Sequence, residues 1–185
     1  MQDFNQLIDG LKAGQTLLYP TDTIWGLGCD ATNPDAIERI YQIKKRNPMQ
    51  PLIILVDNER RLQDLVEVPE VVWNIIDMSE KPVTIVYDRA KNLPKNLLAA
   101  DGSIAIRMVK DKFCQRLIGG LNKPLVSTSA NLSGRPSPLC FSEISPEIIK
   151  AVDLVVEDPS NQKAKFTGSS ILKITQDARI TVIRS

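Results

Sequence analysis

Short apolar runs alternate along this chain with segments of helical periodicity, and this alternation limits the possible folds more than any other feature of the sequence. The first helical segment shows the pattern clearly, since Phe4, Leu7 and Leu11 recur at helical spacing before the helix-stopping Gly14. The pattern predicts a single α/β domain over residues 1–185 with a mixed, mostly buried sheet. Strands are predicted at residues 16–19, 52–56, 83–87, 103–108, 124–126, 152–156, 169–174 and 180–184, and helices at 3–13, 34–46, 58–66, 69–79, 111–119 and 142–150.

The size and composition of the chain suit a soluble globular protein. It has 185 residues, of which 43% are hydrophobic and 24% charged, enough for a sizeable core. No apolar run approaches the roughly 20 residues of a membrane span, and the first residues lack the pattern of a secretion signal. We therefore expect a cytoplasmic protein with no membrane partner. Cys29, Cys114 and Cys140 are odd in number and far apart, which indicates neither a disulfide framework nor a zinc site.

The chain contains no histidine. This absence excludes serine and cysteine mechanisms that need an imidazole base, and it excludes imidazole zinc ligands. Chemistry must then use lysine, arginine, carboxylates, hydroxyls and backbone amides. The net charge of +1 provides no global field for a polyanion, so nucleic-acid binding would need a local basic patch. A small anion is favoured as the ligand.

A polar segment follows the first predicted strand. Its sequence is Y-P-T-D-T-I-W-G-L-G-C-D-A, in which Thr21, Asp22 and Thr23 precede an aromatic residue and two glycines. Open α/β sheets usually bind their ligands at strand ends, which favours a binding role. A turn in which Gly26 and Gly28 supply unusual backbone angles explains the segment equally well.

A basic cluster, Lys44-Lys45-Arg46, ends the helix that Asn33 caps and Pro34 opens. Cations at a helix C-terminus are favourable by about 0.3 to 1 kcal/mol, so the cluster alone has a sufficient structural explanation. It leads, however, directly into the predicted strand at 52–56, which would hold the basic loop rigidly beside the sheet. Rigid, convergent cations suit phosphate.

A serine-rich segment, S-T-S-A-N-L-S-G-R-P-S at residues 127–137, follows a short apolar run. Most of its side chains can donate or accept hydrogen bonds, while Gly134 and Pro136 prevent regular structure. The segment is either a surface turn whose side chains bond their own backbone or a ligand-binding loop. Alternation in the strand at 103–108 adds Arg107, which projects from a fixed base.

The polar groups at the predicted strand ends are hydroxyls, amides and guanidinium groups. This inventory suits a phosphate-rich ligand and the stabilisation of charge that develops on it. The residues by themselves therefore predict a nucleotide or phosphoester site and leave the class of reaction open.

Five segments resemble, in order, the sequence blocks of the YrdC (TsaC) family, the threonylcarbamoyl-AMP synthases. The segments are P-T-D-T-I-W-G-L-G-C-D-A, K-K-R-N-P-M-Q-P-L, S-I-A-I-R-M, K-P-L-V-S-T-S-A-N-L-S-G-R-P-S and G-S-S-I-L. Their order and spacing match over nearly the whole chain, which makes the resemblance specific. It is a resemblance to the short, single-domain form of the family.

The resemblance implies that L-threonine, bicarbonate or CO2, and ATP are converted to L-threonylcarbamoyladenylate and pyrophosphate, a nucleotidyltransferase reaction. It implies partner proteins that transfer the threonylcarbamoyl group to tRNA, with tRNA itself a candidate partner. It also implies a twisted mixed β-sheet with flanking helices and a concave, positively charged ligand-binding surface. Mg2+ is expected on the phosphates of ATP rather than on the protein, with Asp22 as a weak alternative ligand.

Site residues follow from the resemblance by matching its motifs. It implies threonine contacts at Thr23, Arg107, Ser127 and Ser169. Ser170 is an alternative to Ser169, because the spacing to Arg184 is one residue longer than usual. The residues implied to bind ATP are Lys44, Arg46, Gln50, Ser103, Ser129, Asn131, Ser137 and Arg184, with Lys44 and Arg46 also the catalytic candidates. The assignment requires Arg46, Ser129 and Arg184 to line one shared cavity.

A rival interpretation is an RNA-binding module of the same fold without synthase activity. Its basic concavity would be formed by Lys44, Lys45, Arg46, Lys110, Lys112 and Arg135. That module would bind tRNA with strong salt dependence and release no pyrophosphate. The polar connection at 157–168 is expected to be mobile.

Overall fold

A computed structural model describes residues 3–157, 161–164 and 166–185 of the chain. Within these residues the helices are α1 (Phe4–Lys12), α2 (Pro34–Lys44), α3 (Glu59–Leu65), α4 (Glu70–Met78), α5 (Lys112–Leu121) and α6 (Pro146–Ala151). The strands are β1 (Leu17–Tyr19), β2 (Gly26–Gly28), β3 (Ile53–Val56), β4 (Val83–Tyr87), β5 (Ile104–Met108), β6 (Leu125–Ser129), β7 (Leu154–Val155), β8 (Ser170–Ile174) and β9 (Ile180–Arg184). The predicted α/β fold is confirmed.

The strands form one mixed sheet in the order β7-β1-β2-β6-β3-β5-β4-β8-β9. Parallel pairs (β1 with β7, β3 with β5, β4 with β8) are interspersed with antiparallel ones. Strands distant in the sequence are therefore neighbours in the sheet. In particular, β6 lies between β2 and β3, which brings the serine-rich segment beside the polar segment that follows β1.

Helices cover the two faces of the sheet unequally. Alternate residues of β3 belong to different cores: Ile54 and Val56 pack with residues of α2, α3 and α4, whereas Leu55 packs with residues of α1 and α5. Because side chains alternate across a strand, α2 to α4 cover one face while α1 and α5 cover part of the other. The uncovered part of that second face is where a ligand can approach the sheet.

Local signals in the sequence define several helix ends as predicted. The side chain of Asn33 accepts hydrogen bonds from the backbone N–H groups of residues 35 and 36 at the start of α2. At the end of α1, Gly14 has a positive φ of 83°, which glycine adopts without a steric cost. These contacts satisfy backbone groups that a helix end leaves unpaired.

The sequence predicts that the helix at 111–119 ends at the pair Gly119-Gly120, and this prediction is wrong. The helix continues to Leu121 and ends at Asn122, whose φ is 56°. A Cβ at position 120 would lie 2.3 Å from Cδ1 of Ile8 on α1. This glycine therefore allows two helices to approach each other instead of stopping one.

Three other predictions about the fold need correction. The helix predicted at 142–150 is reduced to a 3-10 turn at Phe141–Glu143 followed by α6, and the strand at 152–156 is reduced to β7. The sheet is not buried at one edge, since all five residues of β9 are exposed.

Residues 158–160 and 165 of the polar connection predicted to be mobile lie outside the described residues. In the described ranges, no helix has the length and apolar character needed to cross a bilayer.

Candidate functional site

The uncovered face of the sheet contains a cavity of about 370 Å3, which we call the sheet-face cavity. Its floor is formed by residues of the central strands, including Ile53 and Leu55 of β3 and Ala105 of β5. The predicted site residues that line it are Thr23, Arg46, Arg107, Ser127, Ser129, Ser137, Ser169 and Arg184. Arg46, Ser129 and Arg184 therefore line one shared cavity, as the assignment of the site requires.

The polar segment after β1 forms a tight turn at one side of the cavity. The Thr21 hydroxyl donates to the carbonyl of Ile24 (2.8 Å) and accepts from the backbone N–H of Thr23 (3.0 Å). These are the side-chain to backbone contacts that a structural turn would make. The segment also faces the ligand cavity, because Thr21 and Thr23 both line it. The structural and functional explanations of this segment are thus compatible.

The expectation that Gly26 and Gly28 supply unusual backbone angles is wrong. Both lie in the extended strand β2, and neither has a positive φ. A Cβ at position 28 would lie 2.1 Å from the carbonyl oxygen of Val126 on β6, and one at position 26 would lie 3.1 Å from Cζ of Tyr19. Glycine is required at position 28 because a backbone oxygen occupies the space of a side chain, and at position 26 a side chain would fit only tightly against Tyr19.

Arg107 is the most buried cation in the sheet-face cavity. Its Nη1 donates to Oγ1 of Thr23 (3.1 Å), and its Nη2 lies 3.3 Å from Oδ1 of Asp22. Among the described residues, no hydrogen-bond partner faces Arg107 Nε. Burial raises the pKa of Asp22, and the charge of Arg107 partly counteracts this rise. Asp22 is therefore the charge partner of Arg107, and Nε of Arg107 is a buried donor without a partner among the described residues.

Lys44 lies beneath the serine-rich segment and does not line the sheet-face cavity. It is 1% exposed, and its ammonium donates to the backbone carbonyls of Ser129 and Asn131, the second at 2.7 Å. Burial, with a smaller contribution from the charge of Arg46, lowers the pKa of Lys44 to about 7. Lys44 thus supports the loop that carries Ser129.

Arg46 reaches the cavity from the turn that follows α2. Lys45 ends that helix with a φ of 49°, and the chain then brings Arg46 back toward β3. The Arg46 guanidinium donates to the carbonyls of Gln50 (3.1 Å) and Pro51 (3.3 Å). These contacts fix the side chain beside the sheet, as expected for a rigid basic loop.

The remaining predicted residues lie around the cavity rather than in it. Gln50 is exposed and contributes its carbonyl to Arg46. Ser103 is buried just before β5, where its N–H donates to Asp101 (3.0 Å). Asn131 donates from its amide to the carbonyls of Leu132 and Arg135 and lines a separate cavity of about 480 Å3. Without movement, these three side chains do not contact a ligand in the sheet-face cavity.

The far wall of the cavity comes from the last two strands. Ser169 is buried, and its carbonyl accepts from Nε (3.0 Å) and Nη2 (2.7 Å) of Arg184. Of the two alternatives for the late contact, Ser169 lines the cavity and Ser170 does not.

A β-bulge re-aims the end of β9. The pairing of β8 and β9 shifts at Ile171 and Leu172, which leaves Ile183 as an extra residue opposite them. In consequence both Ile183 and Arg184 line the sheet-face cavity, although neighbours on a regular strand point to opposite faces. Sequence reasoning missed Ile183 because alternation excludes it and nothing in the local sequence indicates the bulge.

A second cavity, of about 530 Å3, lies on the other side of the turn after β1. It shares Thr21, Thr23 and Trp25 with the sheet-face cavity, and Asp22 and Asp111 line it as well. Among the described residues, no group of three or more cysteine or acidic side chains is placed to hold a metal ion.

The six cations of the RNA-binding interpretation do not line one common cavity among the described residues. Lys44 is buried, and Lys45 pairs with Glu147 at 2.6 Å. Lys110 donates to the carbonyls of Ile76 and Ser79. Arg135 lines the cavity beside Asn131, and of the six only Arg46 is among the described residues of the sheet-face cavity. The arrangement gives no support to a continuous basic concavity formed by these side chains.

Comparison with known proteins identifies relatives of this chain. The model of the Sua5/YciO/YrdC family, described as "Telomere recombination", matches residues 9–185. A protein from Pseudoalteromonas translucida named threonylcarbamoyl-AMP synthase is 35% identical over 153 residues, covering 80% of this chain and 82% of its own. A putative threonylcarbamoyl-AMP synthase from Methanocaldococcus jannaschii is 32% identical over 171 residues, covering 91% and 79%.

Solved structures share the fold. P. abyssi Sua5 complexed with L-threonine superposes with a TM-score of 0.88 at 22% identity, over 100% of this chain and 55% of that one. E. coli YciO superposes with a TM-score of 0.83 at 24% identity, over 98% and 88%. The chain thus spans about half the length of the Sua5 protein.

Proposed function

The chain belongs to the Sua5/YciO/YrdC family, and from this premise we propose that it is an L-threonylcarbamoyladenylate synthase. The enzyme would form threonylcarbamoyl-AMP and pyrophosphate from L-threonine, bicarbonate or CO2, and ATP. In class it would be a nucleotidyltransferase. Relatives that are named threonylcarbamoyl-AMP synthase cover most of the chain, which supports an enzymatic role.

The observation that carries the proposal is a difference in burial between the predicted threonine contacts and those predicted nucleotide contacts that line the sheet-face cavity. The threonine group, Thr23, Arg107, Ser127 and Ser169, is 3–7% exposed. Of the nucleotide group, the members that line the cavity are Arg46, Ser129 and Ser137, which are half-buried, and Arg184, which is exposed. A small amino acid at the deep end and a larger nucleotide at the mouth would fit this gradient.

The side chains of the cavity match the charges of these ligands. Arg107 at the deep end suits a carboxylate, while Arg46 and Arg184 nearer the mouth suit phosphate oxygens, which guanidinium groups bind bidentately. Among the described residues, none of the lining side chains is acidic. The cavity would therefore attract anions without repelling them.

We propose a reaction in which the amine of threonine attacks CO2 to form a carbamate. A carbamate oxygen then attacks the α-phosphorus of ATP, and pyrophosphate leaves. The protein would contribute positioning and charge neutralisation, as in phosphoryl transfers generally, so a strong base is not required. The absence of histidine is compatible with this mechanism.

Mg2+ is proposed to enter with ATP. The lining side chains described include no carboxylate, and Asp22 is paired with Arg107, so the ligand oxygens would come mainly from the triphosphate. When bound, the ion would neutralise part of the triphosphate charge. Arg46 and Arg184 would orient the remaining phosphate oxygens.

The product would be a reactive mixed anhydride, which must be handed to an acceptor before water hydrolyses it. We propose that transferase proteins take the threonylcarbamoyl group to tRNA for the t6A modification. A cytoplasmic location would place the enzyme with ATP and tRNA.

The proposal is tested by pyrophosphate release from ATP, measured with and without L-threonine and bicarbonate. We expect release only when all three substrates are present. Replacing threonine by L-serine removes one methyl group and should lower kcat/KM by about 5- to 150-fold, whereas L-valine, which lacks the hydroxyl, should lose more. Equal use of valine and threonine, or release that does not depend on an amino acid, would contradict the proposed function.

A further inference from the structure

Thr84 lies directly below the deep end of the sheet-face cavity and contacts Ser169. It is on β4 and is 0% exposed. Its Oγ1 is 2.7 Å from Oγ of Ser169. Thr84 does not line the cavity itself, so any effect on a ligand must pass through Ser169.

The sheet fixes Thr84 in this position. Val86, two residues along β4, lines the sheet-face cavity, and alternate residues of a strand share a face. The pairing of Ile85 with Ile106 continues by one step to place Thr84 opposite Arg107. Thr84 therefore lies under two deep-end residues, Arg107 and Ser169.

The two hydroxyls share one hydrogen bond, and burial decides which one donates it. In the described structure, Ser169 Oγ is the hydrogen-bond partner of Thr84 Oγ1. If Ser169 donated, the hydroxyl proton of Thr84 would be left without an acceptor in the interior, which is unfavourable. If Thr84 donates, both oxygens are satisfied and the Ser169 proton can point to the cavity.

We propose that Thr84 is a positioning residue that donates to Ser169, so that the Ser169 hydroxyl presents its proton to the cavity and binds an oxygen of the ligand. The inference rests on the proposed function for the identity of that oxygen, which would belong to the carboxylate of the amino acid. Thr84 is not among the residues predicted from the sequence.

Two neighbouring groups agree with an acceptor on the ligand. The Ser169 carbonyl already accepts two N–H groups of Arg184, so it has little capacity for a ligand ammonium. Arg107 Nε is a second buried donor, and no described residue accepts from it. The guanidinium groups of Arg107 and Arg184 both line this cavity, which favours an oxyanion over a cation.

The first test replaces Thr84 by valine, which has nearly the same shape and suits a buried strand. Losing one neutral hydrogen bond should raise KM for L-threonine by about 2- to 12-fold, with KM for ATP unchanged. Thr84→Ser keeps the hydroxyl and should restore most of the affinity. Thr181→Val, an exposed substitution of the same type on β9, is the matched control.

A double-mutant cycle separates positioning from a general structural effect. If Thr84 acts through Ser169, Thr84→Val should cause no further loss in a Ser169→Ala background. An equal loss in both backgrounds, or no loss in the single variant, would overturn the proposal.

Proton NMR tests the direction of the hydrogen bond without any substrate. A protected hydroxyl proton should couple to Hβ of Thr84, and it should exchange rapidly in Ser169→Ala, where the acceptor is missing. A protected hydroxyl proton on Ser169 instead would refute the assignment. Failure of wild-type pyrophosphate release would count against the proposed function only, because the NMR result does not depend on activity.

Discussion

The buried ammonium of Lys44 predicts a specific dependence of stability on pH. Its pKa is lowered from 10.5 to about 7, mainly by burial. Between these values the unfolded chain binds a proton that the folded chain has released. The free energy of unfolding should therefore rise with pH across this window, and the Lys44 contribution should be constant below pH 7 and above pH 10.5.

The size of the effect follows from the shift. A difference of about 3.5 pKa units at about 1.4 kcal/mol each corresponds to about 5 kcal/mol over the whole window. Lys44 is 1% exposed, so solvent screens its charge only weakly. The slope contributed by this one group cannot exceed about 1.4 kcal/mol per pH unit.

Urea unfolding of the wild type and of Lys44→Met, measured from pH 6 to 10.5, isolates the contribution. Other titrating groups cancel in the difference between the two proteins. The methionine variant also loses the contacts to the carbonyls of Ser129 and Asn131, and the part of this loss that does not depend on protonation is a constant offset between the two proteins. The stability of the wild type relative to the variant should increase as pH rises.

Lys45→Met provides the matched control, because it removes the neighbouring lysine, whose side chain is exposed and paired with Glu147. It reports the effect of deleting one surface ammonium over the same pH range. If the free energy of unfolding of the wild type minus that of Lys44→Met stays constant or falls as pH rises, the argument that burial lowers the pKa of Lys44 is refuted.

Two further predictions concern the site and the packing of the helices. Arg46→Ala should lower kcat/KM for pyrophosphate release by about 30- to 1000-fold, since a charged hydrogen-bond donor to phosphate is lost. Arg89 is exposed, and Arg89→Ala should leave kcat/KM unchanged. Near wild-type activity of Arg46→Ala would remove Arg46 from the site. In urea unfolding, Gly120→Ala should be less stable than Gly119→Ala by about 1 to 3 kcal/mol. The new methyl group collides with Ile8 in the first variant, whereas in the second it lies at an ordinary contact distance of 3.6 Å from Asp57. Equal stabilities of the two variants would contradict the packing argument.

Local sequence signals predicted much of the fold, and they failed where distant neighbours decide. Asn33 and Pro34 start α2 as predicted, because a cap depends on residues within one turn. Gly28 and Gly120 were given the wrong role. Both lie close to another element: a side chain at position 28 would meet the backbone of β6, and one at position 120 would displace the end of the Ile8 side chain. No local pattern in the sequence reveals such an approach.

The candidate site shows the same division. Ala105 and Arg107 face the sheet-face cavity as alternation in the strand predicts. Lys44 was assigned to the ligand by its motif, but the structure places its ammonium against backbone carbonyls under the loop. Ile183 escaped notice because its orientation depends on a bulge. Sequence reasoning therefore identified the segments of the site better than the direction of each side chain.

The burial gradient along the cavity has a kinetic consequence under the proposed function. A nucleotide seated at the mouth would close the approach to the deep end through the sheet-face cavity. Threonine would then have to enter before ATP, and pyrophosphate, held nearest to solvent, would depart before the adenylate. Such a compulsory order would protect the carbamate from escape, because its exit is blocked until it has been joined to AMP.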